Sequence, residues 1–289
     1  MNRVSAMCRR IRVTCVSRVN KPMADVRFMS PVISLPLITM AWSCGLFADD
    51  SPISGQITGN RGCRVKYEYY QPDINRTATA VILAHGFKRN LTRMRGWARQ
   101  WSELGIPVII PTLCSSSWLR GRHEENAVDL VSLREQLKID QVIYAGFSAG
   151  GLASYLAARR DPSTRAYVGL DPVDSGRLAT NDATPLDVPA LFVLAGSSRC
   201  NRHNNFLPVI ERMKTARLHR FDEATHCHFE LPYDRKCSWA CGKSDPATTR
   251  DQQKAISETI TSWLLDQLEI AQVTRLLRVS DPRGHPTQE

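Results

Sequence analysis

The 289 residues contain no evident internal repeat, no block of like charge beyond the N-terminal region, and no uninterrupted apolar run of membrane-spanning length. The most apolar stretch, 28–47, is broken by Pro31 and Pro36, which argues against a stable transmembrane span. The formal net charge of +10 is unevenly placed. Seven Lys/Arg against the single acid Asp25 put +6 of it in residues 1–48. The remaining chain is therefore only about +4, with its charges scattered, and it lacks the basic patch of a nucleic-acid-binding protein.

What is present begins with a leader. Residues 1–48 read as an export signal, with a basic region, the apolar stretch, and small residues ahead of Asp49-Asp50. Met23 and Met29 are alternative starts, and Gly45 and Ala48 are candidate cleavage positions. Cys44 stands where a lipoprotein would carry its attachment cysteine, but Ala41 occupies the position where a larger aliphatic is usual. Secretion or a periplasmic location without lipid is the expectation. Cys8, Cys15 and Cys44 fall in or near the leader, which leaves Cys63, Cys114, Cys200, Cys227, Cys237 and Cys241. An even set in an oxidising compartment can form up to three disulfides, with Cys237 and Cys241 close enough in sequence for a local bridge. The competing use is a zinc site of His226, His228, Cys237 and Cys241, but that spacing matches no common zinc module. No metal and no cofactor is expected.

Residues 49–272 form one expected domain, followed by a polar tail over 273–289. Strand patterns occupy Arg64–Tyr70, Ala80–Ala84, Pro107–Pro111, Gln141–Ala145, Ala166–Leu170, Ala190–Leu194 and Arg217–Phe221. Helical patterns occupy Leu91–Leu104, Glu125–Leu137, Gly150–Arg160, Phe206–Thr215 and Asp251–Glu269. Several strands are continuous apolar runs, as strands buried on both faces require. Alternation of this kind predicts an α/β fold with a mostly parallel central sheet flanked by helices on both faces.

Within that pattern, Gly146-Phe147-Ser148-Ala149-Gly150 joins a strand to a helix. A Gly-x-Ser-x-Gly turn of this kind aims a strained serine at solvent, and the glycines relieve crowding between strand and helix. Ser148 is the candidate nucleophile, at a helix N-terminus that favours developing negative charge. His85-Gly86-Phe87, at the end of an earlier strand, makes the Phe87 N–H a candidate oxyanion donor, with the Ala149 N–H as the second. His85 itself reads as structural.

A base belongs late in the chain, after the last strand, and both His226 and His228 satisfy that order. His226 is favoured because it follows the strand more closely; His203 and His219 are badly placed. The acid is the weak point. The segment after the 190–194 strand, Ala195-Gly196-Ser197-Ser198-Arg199-Cys200-Asn201, holds no carboxylate. Gly169-Leu170-Asp171-Pro172-Val173-Asp174 holds two, and Asp171 sits directly at a strand's carboxyl end, so Asp171 is favoured over Asp174. Arg199, Asn201, Arg202, Asn204 and Asn205 form a polar loop expected at the site rim.

Together, Gly-Phe-Ser-Ala-Gly-Gly, His-Gly-Phe and Gly-Leu-Asp-Pro-Val-Asp resemble the α/β-hydrolase superfamily over about residues 60–270. Within it, the chain is similar to chlorophyllase-like, dienelactone-hydrolase-like and cutinase-like esterases. The resemblance implies serine acyl transfer on a small-molecule or lipid-like ester, and it supports Asp171, since chlorophyllases carry a similar Asp-Pro-Val-Asp. Trp118, Leu119 and Phe147 are candidates to line the substrate pocket.

Overall fold

Runs of β-branched and leucine residues form the buried strands. The computed structural model describes residues 51–114, 121–182 and 184–269. In chain order the strands are β1 (Ile53–Thr58), β2 (Arg64–Tyr70), β3 (Thr79–Ala84), β4 (Val108–Pro111), β5 (Gln141–Phe147), β6 (Thr164–Leu170), β7 (Ala190–Ala195) and β8 (Ala216–Phe221). They form one sheet in the order β1-β2-β4-β3-β5-β6-β7-β8. The β1–β2 and β2–β4 pairs are antiparallel and every later pair is parallel. The expected mostly parallel sheet is present.

The helices are α1 (Arg95–Glu103), α2 (His123–Gln136), α3 (Ala149–Arg160), α4 (Leu207–Ile210), α5 (Arg235–Cys241) and α6 (Pro246–Gln267). Period-2 alternation along the strands sorts the core into two layers. Ala80, Ile82 and Ala84 of β3 join Val142 and Tyr144 of β5 beneath α2 and α3. Val81 and Leu83 join Ile143, Ala145 and Phe147 on the opposite face, beneath Trp97 and Trp101 of α1 and Ile260 and Trp263 of α6. All six residues of β3 and of β7 are buried, which is why both appear in sequence as unbroken apolar runs. β8, at the sheet edge, instead exposes Arg217, His219 and Arg220, charges that discourage edge-to-edge pairing.

Several expected elements are revised. β1 carries no strong apolar pattern because Ile57 is its single buried residue. The 91–104 helix divides into a 3-10 turn, Leu91–Met94, and α1. The 206–215 segment keeps one helical turn, α4, with further turns on either side. α6 starts at Pro246, where the Asp245 carboxylate accepts hydrogen bonds from the Ala247 and Thr248 amides at 2.9 and 3.0 Å.

The six domain cysteines pair as Cys63–Cys114, Cys200–Cys241 and Cys227–Cys237. The local Cys237–Cys241 bridge is therefore not formed. Both residues lie on α5, and side chains four apart on a helix hold their Cβ atoms about 5–6 Å apart, beyond the roughly 4 Å a disulfide needs. The expected leader with Cys8, Cys15 and Cys44, the expected tail over 273–289, and Trp118 and Leu119 lie outside the described residues. No helix among the described residues is long and apolar enough to cross a membrane.

Candidate active site

The strand order places β4 on one side of β3 and β5 on the other. At such a reversal the loops leaving the strands' carboxyl ends splay apart and open a crevice. His85-Gly86-Phe87 leaves β3 there, and Ser148 leaves β5. Ser148 has φ 54° and ψ −119°, a conformation that L-residues adopt only under constraint. The constraint is visible in its backbone: its N–H donates to the Leu170 carbonyl at 3.0 Å, and its carbonyl accepts from Val173 N–H at 3.2 Å. A Cβ on Gly146 would strike the Gly150 carbonyl, and one on Gly150 would strike the His85 carbonyl. The turn is therefore this tight only with glycine at both positions.

His226 begins a 3-10 turn, His226–Phe229, after β8. Its Nε2 lies 2.9 Å from Ser148 Oγ and its Nδ1 lies 2.6 Å from Asp171 Oδ2. The structure thus brings Ser148, His226 and Asp171 into one hydrogen-bonded chain, with each residue at least nine-tenths buried. Phe147 packs under the imidazole at a centroid distance of 4.7 Å. It supports the histidine ring rather than standing in the crevice. The turn itself is held by Trp97 Nε1 donating to the Phe229 carbonyl at 2.9 Å and by the Cys227–Cys237 disulfide.

His228 is engaged elsewhere. Its Nδ1 accepts from the Thr225 N–H at 2.8 Å, its ring stacks on Tyr233, and burial pushes its pKa down. Asp174 also has another task, accepting from the Ala179 and Thr180 amides at 3.0 and 2.9 Å and from the Thr180 hydroxyl at 2.6 Å. These partners close the loop after β6. The four candidate zinc ligands are each committed: Cys237 and Cys241 to different disulfides, His226 to Ser148 and Asp171, and His228 to its own turn.

Asp171, fully buried, receives the Ala195 N–H at 3.1 Å on Oδ1. Asn201 Nδ2 lies 3.4 and 3.3 Å from its two oxygens and donates to the Gly196 carbonyl at 2.9 Å. Asn201 is itself fully buried, so it underpins the acid instead of standing on a rim. This role was not assigned from sequence. The signal was the missing carboxylate after β7: where that loop could supply an acid, it supplies an amide donor to an acid from the neighbouring strand.

The remaining parts surround a small crevice, partly open to solvent, with room for about one water molecule. Phe87 and Ala149, the two candidate oxyanion donors, line it together with His85, Leu113, His123 and Asn126. A side chain on Gly86 would come within 3.4 Å of the Ser148 Cβ, so this loop lies directly against the serine. His85 is used internally on both sides. Its Nδ1 bonds the Gly86 carbonyl at 2.8 Å, its Nε2 accepts from Leu113 N–H at 3.0 Å, and burial pushes its pKa down to about 4.

No family model and no curated protein matches the chain. Solved structures do. A lidless α/β serine hydrolase of Xanthomonas campestris is 19% identical, with a TM-score of 0.54 over 75% of this chain and 96% of its own. Dienelactone hydrolase of Anabaena variabilis is 18% identical, with a TM-score of 0.56 over 75% of this chain and 99% of its own. Est1E of Butyrivibrio proteoclasticus is 14% identical, with a TM-score of 0.54 over 76% and 99%. Such likenesses bear on the fold. With the strand order and the serine turn after β5, they define this protein as having the α/β-hydrolase fold.

Proposed function

We propose that the protein is an exported serine esterase that cleaves carboxylic esters through an acyl-enzyme. The observation that carries this reading is the continuous chain Ser148 Oγ–His226 Nε2–His226 Nδ1–Asp171 Oδ2 at 2.9 and 2.6 Å. Nucleophile, base and orienting acid stand in the order and geometry that acyl transfer uses.

In the first half-reaction Ser148 Oγ bonds to the ester carbonyl carbon as its proton passes to His226 Nε2. Asp171 fixes the tautomer with the Nδ1 proton directed at it, and stabilises the imidazolium without taking that proton. The Phe87 and Ala149 amides hold the negative carbonyl oxygen. The carbon–oxygen bond to the alcohol breaks as His226 returns the proton to it. Water repeats the sequence to release the acid and restore Ser148. Every group in this scheme comes from the chain, and the substrate is a small-molecule or lipid-like ester.

Turnover of a short-chain 4-nitrophenyl ester tests the scheme. Ser148→Ala and His226→Ala are each expected to lower kcat by about 10⁴-fold or more. Wild-type-like turnover in Ser148→Ala contradicts it. Export rests on the basic and apolar leader together with three disulfides, bonds that persist in oxidising compartments. N-terminal sequencing of the exported product is expected to begin close after Gly45 or Ala48. A mature protein that stays in the cytosol with its leader contradicts export.

A further inference from the structure

The turn that carries the Phe87 N–H has little of its own to hold it. One backbone hydrogen bond closes it, from the Arg89 N–H to the Gly86 carbonyl at 3.2 Å. Lys88 sits inside it at φ 54°, a left-handed conformation that a lysine keeps only where its surroundings fix it. Phe87 and Lys88 are exposed, so burial of their side chains does not fix the turn.

Arg89 supplies the anchor. Its Nε donates to Glu230 Oε1 at 2.8 Å, and its Nη2 lies 3.7 Å from Asp234 Oδ2. Glu230 is fully buried and directly follows the His226–Phe229 turn. Its backbone is fixed in turn, with its N–H donating to the Cys227 carbonyl at 3.3 Å and its carbonyl accepting from Gln253 Nε2 at 2.9 Å. One ion pair therefore joins the turn bearing an oxyanion donor to the turn bearing the base.

That pair is a poor stabiliser. Glu230 Oε2 has no hydrogen-bond partner among the described residues, so only one of the two carboxylate oxygens is satisfied. Desolvation of a buried carboxylate offsets most of the attraction to its partner, and an apolar pair of similar volume commonly serves stability as well or better. What an apolar pair does not supply is direction. A guanidinium N–H on a carboxylate oxygen fixes both distance and angle.

We infer that Arg89 and Glu230 are positioning residues, which hold the Phe87 N–H in register with Ser148 and His226 so that the oxyanion is bound as the base takes the serine proton. The inference rests on the serine-esterase reading above and adds to it two residues that act through Phe87 and His226. Losing an oxyanion donor outright costs about 10²–10³-fold in kcat, and a turn released from its anchor should cost less.

The test uses the full disulfide-bonded protein and a short-chain 4-nitrophenyl ester. Arg89→Met is expected to lower kcat by about 10–100-fold with KM within about twofold, and Arg89→Lys, which keeps a cationic donor, to recover part of the loss. Binding of butylboronic acid, whose adduct on Ser148 sets an oxygen at the oxyanion position, is expected to weaken in step with kcat/KM. The apolar double variant Arg89→Met/Glu230→Leu separates positioning from stability. It is expected to unfold in urea near the wild-type midpoint while kcat stays low. Arg134→Met breaks a second buried pair, with Asp161 at the far end of α3, about 18 Å from Ser148 by helical rise. That variant is expected to lose stability but to keep kcat and boronate affinity. Wild-type kcat in Arg89→Met, or its recovery in the apolar double variant, overturns the positioning role and leaves the esterase standing. So does an equal loss of kcat in Arg134→Met. If wild type neither turns over the ester nor takes a fluorophosphonate label on Ser148, the esterase reading falls and the positioning role with it.

Discussion

Asp171 is buried, and the N–H groups of Ala195, Asn201 and His226 converge on its carboxylate. An acid in that position works by orientation, so its effect should be separable from that of the nearby Asp174. Asp171→Asn is expected to lower kcat by about 10⁴-fold, because the amide admits the wrong imidazole tautomer. Asp174→Asn leaves the 2.9 and 2.6 Å chain untouched, and should keep near-wild-type turnover while losing about 1–2 kcal/mol of stability from its loop bonds. Steady-state kinetics and urea unfolding on the two variants check this; a reversed pattern would assign the acid to Asp174. Asn201→Ala should fall between them, with a loss in kcat of about 10–100-fold and little change in KM, since the amide acts through Asp171. The choice between Asp171 and Asp174 was open in sequence because both follow β6 within a few residues. Only the backbone decides it, by turning Asp171 through a positive φ of 43° toward the histidine.

Among the elements, α5 has more influence than its seven residues suggest. Cys237 ties it to Cys227, next to His226, and Cys241 ties it to Cys200, next to Asn201. His226 and Asn201, the residue beneath Asp171, are thereby stapled to the same short helix. Replacing Cys227 and Cys237 with alanine should cost about 3 kcal/mol in the chain-entropy view for a loop of this length. It should also lower kcat, because the turn that aims His226 loses an anchor. Urea unfolding and ester kinetics test both effects, and an unchanged kcat in the folded variant would show that Trp97 and Phe147 suffice to hold the turn. α5 escaped the sequence reading for a physical reason. With only Cys237 and Ser238 buried it has no apolar stripe, and covalent bonds fix it where periodicity normally would. β3, β5, β6 and β7 were legible for the opposite reason, since strands buried on both faces must be apolar throughout. The start of α6 was legible too but passed over: Asp245-Pro246 is a cap followed by a proline at the first helical position.

At the scale of the whole molecule, the α/β architecture and the serine turn were readable because sheet burial and glycine crowding each leave a pattern in consecutive residues. The disulfide pairing, the role of Asn201 and the Arg89–Glu230 pair were not, since each depends on contacts between distant segments. Buried neutral histidines also give the fold a pH dependence. His85 titrates at 6.5 when unfolded and at about 4 in the fold, where burial disfavours its charged form. Its stabilising contribution is complete above pH 6.5 and is lost as pH falls toward 4, on the order of 3 kcal/mol in all. Burial of His123 and His228 acts in the same direction, whereas the raised pKa of buried Glu230 opposes it. Urea unfolding at pH 7 and pH 5 should therefore show a smaller decline in His85→Asn than in wild type, and equal declines would contradict the assignment. The central claim is that Ser148 is an activated nucleophile, and labelling of the oxidised protein by a fluorophosphonate probe tests it most directly. The expected result is one label on wild type, mapped to Ser148 by peptide mass, lost in Ser148→Ala and strongly reduced in His226→Ala and Asp171→Asn. A folded wild type that takes no label, or a label that persists in Ser148→Ala, would contradict it.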